Sequence, residues 1–381
     1  MRTYTIIVAA AAGLLTAIGA AADEPPIKIG AVYALTGPVA PYGTAQQKGL
    51  DLKVDEINAA GGIKGRKVKV IYYDTEGNSN RAVQLVRRAI ESDDVDVIVG
   101  PSTSGESLLA GPIANEMKVP IITHSAAAAV VNPPTPYVFQ TSQYDTVAVP
   151  VVLKEFQKRG FKTVALMGAT DAYGQSGAAV IRDQAQKFGL KLVTDEQFDR
   201  QDTDMTAQVL RARQGNADVM LIWSTFPAPA IIVRNAKAAG YAKPIFNSFA
   251  MATDDFIKQA GGAAENTYVM SAGILLPEAL PDDNPSKATI LAYSKAYADR
   301  YKETPNPSAQ HALDAAAIIF EAAKKVDGPI NRQSLRDAIE KADRYGANGL
   351  FKFSSQQHGV ATENAPIVFL KVVRGKYTAE K

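Results

Sequence analysis

The sequence predicts an α/β protein made of two lobes, each a doubly wound parallel sheet. Three observations predict it. Short β-branched apolar runs such as Val95–Val99 alternate with longer stretches whose apolar residues recur at helical spacing. These runs lack the polar alternation of a half-exposed strand, which suits strands covered on both faces. Near Tyr144–Asp145 the alternation restarts, and the chain length suits two compact cores better than one.

Taken in order, Ile27–Leu35 reads as a strand, and Thr36–Gly43 as the loop after it. A helix follows to about Ala60, with Leu50, Val54 and Ile57 on one face, and Gly61-Gly62 stops it. Val68–Tyr73 is the next strand, and Ala82, Leu85, Val86, Ala89 and Ile90 keep helical spacing. The strand at Val95–Val99 completes a β-α-β-α-β series, which implies parallel pairing. After the restart, strands are expected at Thr163–Met167, Lys191–Thr194, Val219–Trp223, Pro244–Asn247 and Thr267–Met270, with helices between them. Beyond Ser271 the texture changes. A proline- and acid-rich stretch precedes helices at about Lys287–Tyr301 and Ser308–Lys325, and the tail segments Gly349–Phe353 and Ile367–Val373 have strand character. A chain that crosses between the lobes more than once accommodates this order.

The first 22 residues read as a signal peptide. Arg2 precedes an apolar run from Ile6 to about Ala22 that ends in Ala20-Ala21-Ala22, so cleavage is expected between Ala22 and Asp23. Removing residues 1–22 from 381 leaves 359, and losing Arg2 lowers the formal charge from +2 to +1. That balance argues against nucleic acid and against a basic membrane-binding face. With no cysteine, lipid anchoring through a cysteine and disulfides are excluded. A soluble, exported, periplasmic protein is expected.

No catalytic or metal motif is complete. The three histidines, His124, His311 and His358, have no metal-ligand spacing. Gly100–Gly105 lacks the serine of a nucleophile elbow, and Gly168–Gly174 lacks the spacing and lysine of a P-loop. No Gly-x-Gly-x-x-Gly follows the first strand, and Asp282-Asp283-Asn284 lacks the rest of a calcium loop. No enzyme activity, metal or cofactor is expected.

The organising stretch is Val95–Ser125. Gly100-Pro101 ends its first strand, and Ser102, Thr103 and Ser104 lead into a helix that starts near Gly105. The start of a helix offers unpaired N–H groups and partial positive charge, which suits an anion. A second strand, Ile121–Thr123, ends at Ser125-Ala126-Ala127-Ala128. Ligands in open α/β sheets sit at the carboxyl ends of strands, so these two ends form a candidate carboxylate cradle. Ser104 stands equally as a helix N-cap, and the residues alone do not separate the two roles.

The segments Ile27–Gly43, Ile57–Val68 and Val97–Ser104 resemble the periplasmic branched-chain amino-acid binding proteins, and the resemblance runs through the whole mature chain. It implies a type I periplasmic binding fold with three hinge crossings, placed near Tyr144, Ala272 and Phe351. The corresponding division is 23–144 and 273–350 in the first lobe, 145–272 and 351–381 in the second. It also implies a monomeric solute-capturing component of an ABC importer, with a small-molecule carboxylate and a membrane permease as partners. A sensor subunit serving a membrane receptor would use the same clamshell.

The resemblance carries the ligand residues over one at a time. The carboxylate-holding serine falls on Ser104, with Thr103 beside it. The backbone acceptor for a ligand amine falls on Ser125. The threonine that completes the carboxylate site falls on Ala127, past Ala126, so its hydroxyl is missing and only an N–H remains. The rim tyrosine falls on Tyr42 and the second-lobe tyrosine on Tyr173. A further second-lobe tyrosine falls on Thr225, next to Phe226. The glutamate that pairs with the ligand ammonium falls on Phe249. A buried ammonium without a carboxylate costs on the order of several kcal/mol, and a cation–π contact offsets only about 0.5–2 kcal/mol. Trp223, Phe226 and Phe249 would form a flat apolar wall suited to an aromatic ring. Asp171 is the fallback ammonium partner, or else the cap of the helix that follows. The expected ligand is an aromatic or other hydrophobic carboxylic acid, and the alternative is a branched-chain or other neutral amino acid.

Overall fold

The computed structural model describes residues 24–379, so the expected signal segment lies outside the described residues. The first lobe opens with β1 (Ile27–Tyr33), α1 (Ala40–Ala59), β2 (Val68–Asp74), α2 (Ser79–Glu91), β3 (Val97–Val99), α3 (Ser104–Glu116), β4 (Ile121–Thr123) and β5 (Val138–Gln140). These strands form one parallel sheet in the order β2-β1-β3-β4-β5. The second lobe follows with α4 (Asp145–Lys158), β6 (Thr163–Ala169), α5 (Ala172–Gln184), β7 (Lys191–Phe198), α6 (Thr206–Gln214), β8 (Val219–Trp223), α7 (Ala228–Ala238), β9 (Ile245–Asn247), α8 (Asp254–Ala260) and β10 (Tyr268–Ala272). Then come α9 (Lys287–Tyr301), α10 (Pro307–Lys325), α11 (Arg332–Ile339), the hairpin β11 (Asp343–Gly346) and β12 (Gly349–Lys352), and finally β13 (Ile367–Val373) and β14 (Lys376–Ala379). The second sheet runs β14-β13-β10-β9-β8-β6-β7, and among the described strands β13 alone runs against the others in it.

Strand periodicity sorts side chains onto the two faces of each sheet. In β1, Ile27, Ile29, Ala31 and Tyr33 pack with Leu50 and Val54 of α1 and Ala312, Ala316 and Ile319 of α10. Val32 points the other way, among Val86 and Ala89 of α2 and Ala110 and Ala114 of α3. In the second lobe Val164 and Leu166 join Val152 and Ile181 of α4 and α5, while Ala165 and Met167 join Val209 and Ile232 of α6 and α7. Burial on both faces is why these strands read as unbroken apolar runs.

The chain passes between the sheets three times: from β5 into α4, beyond β10, and before β13. The third passage is a correction. The tail was expected to change lobe near Phe351, but Phe351, Phe353 and Val360 are buried in the first lobe's core with Ile27 and Phe139. The lobe change comes between Val360 and Ile367, where Gly273 N–H donates to Pro366 O at 2.9 Å. β11–β12 forms a separate two-stranded sheet, so strand character alone was a poor guide to membership. Among the described residues, no helix is long and apolar enough to cross a membrane.

Candidate functional site

Between the lobes lies a cleft of about 980 Å³, walled by the carboxyl ends of the parallel strands of both sheets. On the first-lobe side, Gly100 ends β3 at φ +95°, and a Cβ there would lie 2.2 Å from Val32 O, so the turn admits only glycine. Thr103, not Ser104, caps α3. Its Oγ1 accepts from Glu106 N–H at 3.4 Å, and its N–H donates to Glu106 Oε2 at 2.9 Å. Ser104 is therefore free of capping. Its Oγ accepts from the N–H groups of Ala126 and Ala127 at 3.3 and 3.1 Å. The hydroxyl proton remains to be donated, beside the unpaired N–H groups of the first turn of α3.

One first-lobe expectation needs correction. The Ala127 N–H, expected to serve a ligand carboxylate, is already donated to Ser104 Oγ, and Ala127 is buried outside the cleft lining. The Ser125 carbonyl, expected to accept from a ligand amine, accepts from Ser142 Oγ and keeps a second lone pair. Ser125 and Ala126 do line the cleft, as do Thr103 and Ser104.

On the second-lobe side, Asp171 caps α5 and accepts from Gly174 N–H at 2.8 Å. Its other oxygen lies 3.5 Å from Arg200 Nε and 3.4 Å from Thr225 Oγ1. Tyr173, Thr225 and Phe249 line the cleft. Trp223 and Phe226 do not, which corrects the expected three-ring wall. Trp223 is buried behind Tyr173, stacked on it at 5.8 Å. Gly177 makes room for it, since a Cβ there would lie 1.9 Å from Trp223 Nε1. Phe226 is fully buried and packs its ring 5.6 Å from that of Tyr42. The aromatic surface offered to a ligand is thus Tyr42, Tyr173 and Phe249.

The lobes touch across the mouth. Tyr42 Oη donates to Ala250 O at 3.1 Å and accepts from Phe226 N–H at 3.4 Å. The starts of α3 and α5 face each other, with a Cβ at Gly105 only 4.0 Å from Ala172 Cβ. Both helix starts direct partial positive charge into the cleft.

Ionisation adds little. Burial holds the His124 imidazole well below its usual range and lowers His311 to about 4, so both are neutral at pH 7. Among the described residues lining the cleft, Asp171 and Arg200 are the only charged pair, and they neutralise each other. The helix starts and the Ser104 hydroxyl then leave partial positive charge and a hydrogen-bond donor facing the cleft.

Several lining residues escaped the sequence reading. Gln46 on α1 accepts from Ser102 Oγ at 2.6 Å, and Ser102 Oγ accepts from Ala34 N–H at 3.1 Å. Gln143, Arg200 and His311 also line the cleft. Arg200 had a usable signal, because it follows the end of a strand as Ser104 and Tyr173 do. His311 had none, since it lies in a helix whose apolar spacing explains itself.

Comparison with known proteins places this architecture. The periplasmic binding protein family model matches residues 26–376. The leucine-, isoleucine-, valine-, threonine- and alanine-binding protein of Pseudomonas aeruginosa is 26% identical over 317 residues, 82% of each chain. Among solved structures, an extracellular ligand-binding receptor from Rhodopseudomonas palustris superposes with a TM-score of 0.84 at 26% identity, covering 93% of this chain and 99% of that one. The branched-chain amino acid transporter substrate-binding protein LivJ of Streptococcus pneumoniae, solved with isoleucine, gives 0.82 at 27% identity, covering 93% and 98%. The chain therefore belongs to the periplasmic binding protein family, in its branched-chain amino-acid type, and carries the type I fold.

Proposed function

We propose that this protein is the periplasmic solute-binding component of an ABC importer and that it captures a hydrophobic, aromatic carboxylic acid lacking an ammonium group. The carboxylate meets Ser104 and the start of α3 in the first lobe. The second lobe then closes over it with Tyr173, Thr225 and Phe249, and the ligand-stabilised closed form is what a membrane permease reads. Residues 1–22 act as the export signal.

One observation carries the choice of ligand. Phe249 stands in the cleft where an ammonium partner was expected, and among the described residues the only carboxylate lining the cleft, Asp171, is tied to Arg200 and to its own helix. A bound ammonium would sit unpaired, at a cost on the order of several kcal/mol.

A neutral amino acid is the second reading. The names of the Pseudomonas and Streptococcus relatives favour it, and among the described residues Asp171 is the one carboxylate lining the cleft that could partner an amine. Thermal shift with 3-phenylpropanoate against phenylalanine separates the two, because the pair differs only in the amine. Stabilisation by the plain acid is expected. Stabilisation by amino acids alone would reject the amine-free ligand and leave the clamshell intact.

A further inference from the structure

His311 stands apart from every other residue of the cleft. Among the described residues that line it, only His311 has a buried side-chain polar atom, Nδ1, with no hydrogen-bond partner. Native proteins rarely leave such a group unpaired, because its lost hydration is then uncompensated.

The neighbouring imidazole shows the contrast. Thr141 Oγ1 has one proton, and it donates that proton to His311 O at 3.0 Å. His124 Nδ1 lies 3.1 Å from the same oxygen and so has a partner within the protein. Its Nε2 lies 3.3 Å from Tyr33 Oη. Both nitrogens of His124 are satisfied within the protein. It has nothing left for a ligand and serves to position the backbone of His311. The His311 ring stands 6.1 Å from the His124 ring and is not used in this chain.

His311 and Ser104 reach the cleft from helices on opposite faces of the first sheet. Helix α10, which bears His311, packs with α1, which bears Gln46. At the crossing of α1 and α10 a Cβ on Gly49 would lie 2.4 Å from Ala309 O, so Gln46 and His311 flank one close contact.

We propose that His311 is a hydrogen-bonding subsite for a neutral hydroxyl of the ligand, distinct from the carboxylate site at Ser104. This inference rests on the carboxylate reading of Ser104 given above. A neutral imidazole offers a donor and an acceptor and no charge, which suits a phenol or alcohol and not a second carboxylate. The protein would thus select hydroxylated aromatic acids over their unsubstituted counterparts.

Four probes test it by calorimetry on the full chain: 3-phenylpropanoate, 3-(4-hydroxyphenyl)propanoate, phenylalanine and tyrosine. The hydroxylated acid is expected to bind at least about tenfold tighter than its plain partner, as sites built around a hydroxyl do. In His311→Leu that ratio is expected to fall below about twofold, with the Kd of 3-phenylpropanoate changed less than about threefold, which also proves the variant folded. His311→Gln, which keeps a hydrogen-bonding head, is expected to retain an intermediate ratio. A wild-type ratio near one in whichever pair binds overturns the subsite, and so does a ratio that His311→Leu leaves unchanged. Binding of the amino-acid pair alone defeats the amine-free ligand, while the tyrosine-to-phenylalanine ratio still judges His311. Binding of none of the four overturns both.

Discussion

Tyr42-Gly43 and Tyr173-Gly174 are the same device used twice. Each tyrosine opens a helix after a strand of its own lobe, and each glycine lets that helix lie against the strand end. A Cβ would meet Ala34 O at 2.1 Å in the first lobe and Ala169 O at 2.2 Å in the second. The outcomes diverge beyond that point. Tyr42 reaches across the cleft, with its ring on Phe226 and its hydroxyl on Ala250 O. Tyr173 stays at home, stacked on Trp223 and close to the buried Asp145. One tyrosine joins the lobes, and the other finishes the wall of one. Local sequence sets the strand–turn–helix geometry, while the partner that each ring meets comes from distant parts of the chain.

The largest expected effect probes the Tyr173 side. Burial raises Asp145 to about 7, against the donation from Ser176 Oγ that favours the carboxylate. The folded state therefore holds a proton that the unfolded chain releases near pH 4. Stability should fall as pH rises from about 4 to 7 and flatten above, by an amount on the order of several kcal/mol. Asp145→Asn should flatten a plot of Tm against pH over that window. An unchanged slope would show that Asp145 is not the titrating group.

Ser104→Ala should weaken carboxylate binding about 100-fold, since it removes a hydrogen bond to a charged group and strands two backbone N–H groups. A calorimetric loss below about fivefold would separate the carboxylate from Ser104. Gly177→Val drives a side chain into Trp223 and should cost about 1–3 kcal/mol in urea unfolding, with the indole fluorescence altered. A silent substitution there would mean that the Tyr173–Trp223 stack is not fixed. Phe249→Glu should turn preference from 3-phenylpropanoate toward phenylalanine by about tenfold, through repulsion of one ligand and pairing of the other. Equal binding of both would place Phe249 away from the ligand's polar end. The smallest change is expected from Tyr42→Phe, which loses the bond to Ala250 O and weakens affinity by about 1 kcal/mol without altering ligand preference. A change in preference would make Tyr42 a selectivity residue as well as a bridge between lobes.

Much of the architecture was legible because parallel strands and their covering helices carry strong periodic signals. The first-lobe wall of the cleft was legible too, since Ser102–Ser104 and Ser125–Ala126 announce strand ends with small polar residues. What stayed hidden was direction. Trp223 and Phe226 sit at a strand end like true lining residues, yet their side chains turn into the core. The sequence held one clue, the glycine at 177, but nothing local links it to position 223. Phe351 and Phe353 misled for a similar reason, because strand character does not say which of two cores will bury a phenylalanine. Arg200 and His311 reach the cleft from elements far apart in the chain, and no spacing rule connects them to Ser104.

The three passages of backbone between the sheets have a mechanical consequence. Bodies joined by one tether can wander and spin, whereas three roughly side-by-side tethers forbid sliding and leave bending as the soft coordinate. A molecule settling on the first lobe need not wait for the other to find it by random search. The approach path is already laid down in the covalent chain, and little orientational freedom is left to lose when the jaws meet.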